Sequence, residues 1–252
     1  MQPRPSPAGF KFEGGPVGVL MIHGYTGSPA EMRLIAEYLN ERGLRISAPL
    51  LPGHGTVPAE LNRVAWTDWT ECAELALAEL HEQSARVFVA GLSMGALLAL
   101  YLAGKHPSLP GAIVYSPALK VTNRLIRLVP LGKYFISMFP KKPAHFTDPS
   151  ASGRIWSYDR YPTFGAHETG KLIREVKRLL PQVVSPLLIV HSWLDRNIRP
   201  ESARLIYDRV GSKDKELLML NNSAHALTVD SEWERVAEQT YQFIQARLPR
   251  GG

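Results

Sequence analysis

The stretch Arg86-Val-Phe-Val-Ala-Gly91-Leu-Ser93-Met-Gly95-Ala-Leu-Leu-Ala-Leu100 decides the fold. Its first half is β-branched and apolar, the mark of a strand buried on both faces. From Ala96 to Lys105 the chain is apolar for longer and reads as a buried helix. Between them Gly91-Leu-Ser93-Met-Gly95 fits G-x-S-x-G. The five-residue pattern alone is common; a strand, a sharp turn and a helix around it give it meaning. The two glycines leave room for a strained turn that lifts the Ser93 hydroxyl clear of a sheet. The alternative is a tight turn with an incidental serine.

Working outward, strands and helices alternate. Upstream lie a strand over 17–22, a helix over 30–42 stopped by Gly43, a short strand over 44–49 and a helix over 66–84. Downstream lie strands over 111–116, 185–190 and 216–221, with helices over 200–210 and 230–248. Such alternation predicts an α/β fold with a mostly parallel sheet flanked by helices on both faces. From about residue 118 to 182 the alternation stops. That segment reads as an insertion at the C-terminal edge of the strands, where ligands bind in such sheets. The expected organisation is a core of residues 1–117 and 183–252 with a cap over 118–182.

A serine hydroxyl needs a base within hydrogen-bond reach, and the base needs an orienting group. With a strand–Ser–helix nucleophile the partners follow in the order Ser, acid, His. Asp195 stands in a loop just past the 185–190 strand, whereas Asp208 lies in a helical pattern and Asp214 precedes a strand. His225, in Asn221-Asn-Ser-Ala-His225, is the histidine past the next strand. Singly, Asp195 could be a helix cap and His225 an ordinary histidine; the three types in order after three strands point to a triad. The oxyanion of an acyl-transfer intermediate needs preorganised N–H donors. Met94 N–H, just after the nucleophile, is one candidate; Tyr25 N–H, in the glycine-rich His23-Gly-Tyr-Thr-Gly27 loop, is the other.

Five segments carry a family resemblance: His23-Gly-Tyr-Thr-Gly, Leu51-Pro-Gly-His-Gly-Thr, Gly-Leu-Ser93-Met-Gly, Asp195-Arg-Asn-Ile-Arg-Pro and Ser-Ala-His225-Ala-Leu-Thr-Val-Asp230. In these the chain resembles the α/β-hydrolase family, within it the small bacterial carboxylesterases and monoacylglycerol lipases. The resemblance spans about residues 17 to 248. It implies the α/β-hydrolase fold, Ser93 as nucleophile, His225 as base, Asp195 as its orienter, and Tyr25 and Met94 as oxyanion donors. Relatives often carry Gly where Ala96 stands and Phe where Tyr25 stands; neither change removes a catalytic group. Asp159, ahead of Pro162, resembles the acidic ligand of glycerol hydroxyls in monoacylglycerol lipases. It is equally a turn residue or a partner for Arg160.

The cap is apolar and basic at once. Leu125, Phe135, Ile136 and Phe139 are among the large apolar groups that would line an acyl pocket or seal the cap to the core. Of the formal net charge of +6, residues 119–180 carry +8 and the remainder −2. A basic excess confined to one segment argues against a nucleic-acid binder. It raises weak contact with an anionic lipid surface, against the plainer reading of solvated lid charges.

The remaining signals are negative. Hydrophobic residues at 45% and charged residues at 21% are ordinary for a globular chain of 252 residues. The longest apolar run, Ala96 to Ala103, is too short to span a bilayer. The first seven residues lack a signal-peptide core and Cys72 stands alone, so a cytoplasmic protein without disulfides is expected. Gly165-Ala-His-Glu-Thr-Gly-Lys171 mimics a phosphate loop, but Leu172 replaces the Ser/Thr and no strand precedes it. His81-Glu82 and His167-Glu168 lack the second histidine of H-E-x-x-H, so neither a metal nor a cofactor is expected. The expected chemistry is acyl-enzyme hydrolysis of a small-molecule carboxylic ester, of short to medium chain, monoacylglycerols included. Thioesterase, peptidase or C–C hydrolase activity stays open, as does, from another class, ligand binding without turnover. Dehalogenases and epoxide hydrolases of this fold need Asp where Ser93 stands.

Overall fold

A computed structural model describes residues 5–122 and 136–249. Among them the strands are β1 (Phe10–Phe12), β2 (Val17–Ile22), β3 (Arg45–Ala48), β4 (Arg86–Leu92), β5 (Ala112–Tyr115), β6 (Met138–Pro140), β7 (Arg160–Pro162), β8 (Leu187–Ser192) and β9 (Lys215–Leu220). The α-helices are α1 (Arg33–Asn40), α2 (Pro58–Leu61), α3 (Trp66–Glu82), α4 (Met94–Lys105), α5 (Thr163–Leu179), α6 (Glu201–Arg209) and α7 (Trp233–Gln245).

Seven strands form one sheet in the order β1-β3-β2-β4-β5-β8-β9, all neighbours parallel except β1 against β3. Side chains alternate across a strand, so one sequence feeds two cores. Leu20, Ile22, Val87, Val89, Val114 and Ile189 face the layer holding α3, α4 and α6. Val19, Met21, Phe88, Ala90, Ile113 and Val190 face α1 and α7. Helix α4 is buried nearly all round, which explains its unbroken apolar sequence. The register pairs Ile22 with Gly91, Leu92 with Tyr115 and Tyr115 with Val190. The loops after β2, β4, β5 and β8 therefore leave the sheet at one edge, and the site residues are carried there.

The segment between β5 and β8 departs from the irregular stretch expected from sequence. It holds the two-stranded β6–β7 sheet and the 17-residue helix α5, which packs on α4 and α3. The helix was hidden because its buried face is largely small or polar: Thr163, Gly165, Glu168 and Thr169 precede the apolar Leu172 and Val176. Strand β1 was also unread, its three residues being too few for a periodicity. The segment is bonded to the core at several points. Tyr158 Oη donates to Gly53 O at 2.9 Å, Tyr158 N to Thr26 O at 2.9 Å, and Asn62 Nδ2 to Ser137 O at 2.8 Å. No helix among the described residues is long and apolar enough to cross a membrane.

Candidate active site

Ser93 sits between β4 and α4 with φ 58° and ψ −107°, a strained backbone for a residue with a side chain. The neighbouring glycines make the turn sterically feasible. A Cβ on Gly91 would lie 2.1 Å from Gly95 O, and one on Gly95 would lie 2.0 Å from Ile22 O. The turn is held by Ser93 N donating to Tyr115 O at 2.8 Å.

The structure brings Ser93, His225 and Asp195 into one hydrogen-bonded line. His225 Nε2 is 3.0 Å from Ser93 Oγ, and Nδ1 is 2.8 Å from Asp195 Oδ2. A carboxylate can only accept, so Nδ1 carries the proton and Nε2 presents its lone pair to the serine hydroxyl. Asp195 Oδ1 accepts from Asn197 N at 2.8 Å and Ile198 N at 2.9 Å, which fixes the carboxylate. The His225 backbone is fixed as well, its carbonyl accepting from Ser116 Oγ at 2.8 Å.

Burial works against a charge on His225, yet the Asp195 carboxylate, reinforced by the more distant Glu31, raises its pKa above the ordinary histidine value. For Asp195 burial pushes upward, but His225 and the backbone N–H of Ile198 hold it below the usual carboxylate range. A second histidine, His191 on β8, lies 3.5 Å from Asp195 Oδ2; burial first of all lowers its pKa and keeps it neutral. From sequence the strand ends at 190 and His191 has no role, since a lone histidine at a strand end carries no pattern; in the structure it is the fifth residue of β8.

Met94 is the first residue of α4, so its N–H is one of the donors a helix start leaves free. The loop 24–27 is closed by Gly27 N donating to Gly24 O at 3.1 Å. It lies against Ser93: a Cβ on Gly24 would sit 3.5 Å from Ser93 Cβ. Beneath it His23 is wholly buried. Its Nε2 accepts from Leu51 N at 3.1 Å, leaving the Nδ1 proton for Gly24 O at 3.0 Å. His54, edge-on to His23, is pushed by burial down to about 4 and stays neutral. The Tyr25 ring stacks on Tyr161, with centroids 6.3 Å apart, and its hydroxyl donates to Pro162 O. A Phe could not make that tie.

Two charged groups missed from sequence meet at this loop. Glu31, which follows the loop in a short 3₁₀ turn (Pro29–Met32), is buried and accepts from Gly24 N at 2.9 Å through Oε2. Lys141, just past β6, donates to Thr26 Oγ1 at 2.8 Å and to Ser157 Oγ. No spacing rule flags either. Asp230, within a matching segment but given no role, is buried and accepts from Ala224 N at 2.6 Å, Thr147 N at 3.0 Å and Asp148 N at 2.8 Å.

The other expected residues are more scattered. Asp159 is exposed, and its backbone carbonyl accepts from Lys141 N at 3.1 Å. Ile136 is exposed and Phe139 is half-buried in β6. Leu125 and Phe135 lie outside the described residues.

This sheet, with Ser93 on a sharp turn between β4 and α4 and Asp195 and His225 on later loops, is the α/β-hydrolase fold. Within that class the chain belongs to the family described as serine aminopeptidase S33, whose model matches residues 17–232. It is 32% identical over 238 residues to the thermostable monoacylglycerol lipase of Bacillus sp. (strain H-257), with 93% of both chains covered. It is 28% identical over 244 residues to the carboxylesterase of Bacillus subtilis (strain 168), covering 95% of this chain and 97% of the relative. A solved structure from work on LipS and LipT, two metagenome-derived lipolytic enzymes, matches with a TM-score of 0.92 at 31% identity. It covers 96% of this chain and 99% of that one.

Proposed function

We propose that this protein is a serine hydrolase cleaving carboxylic esters of short to medium acyl chain, monoacylglycerols among them, through an acyl-enzyme. The observation that carries the reading is His225 bridging Ser93 Oγ and Asp195 Oδ2 through its two ring nitrogens. Ser93 Oγ attacks the ester carbonyl while its proton passes to His225 Nε2. Asp195 holds the imidazole tautomer and offsets the charge that forms on it. The tetrahedral oxyanion accepts from the N–H groups of Tyr25 and Met94. As the intermediate collapses, the C–O bond to the alcohol breaks and His225 returns the proton to the leaving oxygen. Water then repeats the cycle on the acyl-enzyme, releasing the acid and restoring Ser93.

In this reading residues 118–182 act as the cap. Phe139, half-buried in β6, faces the acyl chain, and Asp159 meets the alcohol part of the ester. The two full-length relatives named above, a monoacylglycerol lipase and a carboxylesterase, favour ester over peptide substrates. The family's description keeps peptide hydrolysis as the rival to exclude.

The test is steady-state hydrolysis of p-nitrophenyl esters from C2 to C12 and of a monoacylglycerol, with Ser93→Ala in parallel. Turnover that falls by about 10⁴- to 10⁶-fold in the variant is expected. The chain-length optimum then separates esterase from monoacylglycerol lipase. Equal inactivity of both proteins on every ester, with turnover of a thioester or aminoacyl amide, would overturn the reading.

A further inference from the structure

Loop 24–27 carries a hydrogen bond at each end to a residue of opposite charge. At Gly24 the backbone N–H donates to the buried Glu31 carboxylate at 2.9 Å. The same carboxylate packs against Gly27 so closely that a Cβ there would lie 2.2 Å from Oε1. At Thr26 the side-chain hydroxyl accepts from the Lys141 ammonium at 2.8 Å, and the backbone carbonyl accepts from Tyr158 N at 2.9 Å. Thr26 has φ 65°, an uncommon backbone for a β-branched residue, which the surroundings must hold in place. Tyr25 lies between the two anchored residues. Glu31 O also accepts from Thr228 Oγ1 at 2.6 Å, three residues past His225.

We propose that Lys141 and Glu31 are positioning residues that clamp loop 24–27 from the cap and from the core, setting the Tyr25 N–H toward the oxyanion. Lys141 is the cap's contribution to the catalytic geometry, acting through its bond to Thr26. The inference rests on the ester-hydrolase reading for its kinetic consequence, but the clamp has a signature of its own at His225. The charged or titratable groups that act on that imidazole are Asp195 and His191 from the β8 side, Glu31 from the 3₁₀ turn after the loop, and Lys141 from the cap. Glu31 raises the pKa of His225 and Lys141 lowers it. The two positions are coupled in turn. Burial raises the Glu31 carboxyl against the pull of Gly24 N–H and Lys141, and burial lowers the Lys141 ammonium against the pull of Glu31 and Asp159.

The experiment compares Lys141→Met, Lys141→Arg and Glu31→Gln, whose side chains keep nearly the original length. Two quantities are read: kcat and KM on p-nitrophenyl butyrate, and the His225 imidazole pKa by NMR. Lys141→Met is expected to lower kcat by about 10- to 100-fold, less than loss of an oxyanion donor itself, with KM within about threefold. It should raise the His225 pKa, because a cation has gone; Glu31→Gln should lower it, because an anion has gone. Lys141→Arg keeps the charge and should restore most of kcat.

An unchanged His225 pKa in both charge-removing variants, or equal loss of kcat in Lys141→Met and Lys141→Arg, would overturn the clamp. If the wild-type protein turns over no ester, the functional reading fails while the NMR shifts still decide the charge coupling. Opposite shifts then support the clamp and flat ones refute it.

Discussion

In the proposed mechanism His225 serves as a neutral base, and its own surroundings push it toward being charged. Asp195 raises its pKa above the ordinary 6.5, so the active, unprotonated form is lost sooner on acidification than for a free histidine. The limiting rate constant kcat/KM should therefore rise with pH through a value above 6.5, measurable on a soluble ester between about pH 5 and 9. An acid limb centred at or below 6 would contradict the geometry. Asp195→Asn tests the tautomer. The new amide would place donors near Nδ1, favouring the wrong tautomer, and kcat should fall by about 10⁴-fold with the fold intact by circular dichroism. A loss below about tenfold would mean that Asp195 only fixes the loop through Asn197 and Ile198.

The Ser93 turn and the His225 loop each depend on close packing. Gly95 lies where α4 crosses the end of β2, and a methyl group there meets Ile22 O and His23 O at 2.0 and 2.6 Å. Neither backbone can move without opening the sheet, so Gly95→Ala should cost about 3 kcal/mol or more, read by urea unfolding. A cost under about 1 kcal/mol would show that the turn can relax. Asp230 does for the histidine loop what the glycines do for the serine. It gathers donors from Ala224, next to His225, and from Thr147 and Asp148 in the segment before α5. Asp230→Ala strands those N–H groups in the interior and should cost about 3 kcal/mol, with kcat reduced more than KM is changed. Equal stability of variant and wild type would mean that water replaces the carboxylate.

The β5–β8 segment is tied to the core through Tyr158, Thr147 and Lys141, and α5 shares the apolar layer of α4. Ties at that many points make independent opening costly. Thermal unfolding should therefore be one cooperative transition, with Trp156 fluorescence in the segment and far-UV circular dichroism of the sheet and helices changing together. The comparison needs the other tryptophans replaced by Phe. A Trp156 transition several degrees below the circular-dichroism midpoint would mean that the segment detaches before the core melts.

The alternation of strands and helices, the α/β class and the order Ser93, Asp195, His225 could all be read from the chain. Each rests on local rules, since apolar periodicity follows from burial and a strained turn demands glycine at 91 and 95. The α5 helix could not be read, because its buried face is made acceptable by what it packs against rather than by its own hydrophobicity. Lys141 looked like one more solvated charge in a basic segment, and Glu31 like an ordinary residue at a helix start. Their meeting at loop 24–27 joins positions 110 residues apart, and no local rule records such a contact. The sequence by itself determined which chemical groups are present and which strand end presents each of them. Tertiary structure alone decided which charges share the site with His225, because electrostatic influence depends on distance and burial through space, not along the chain.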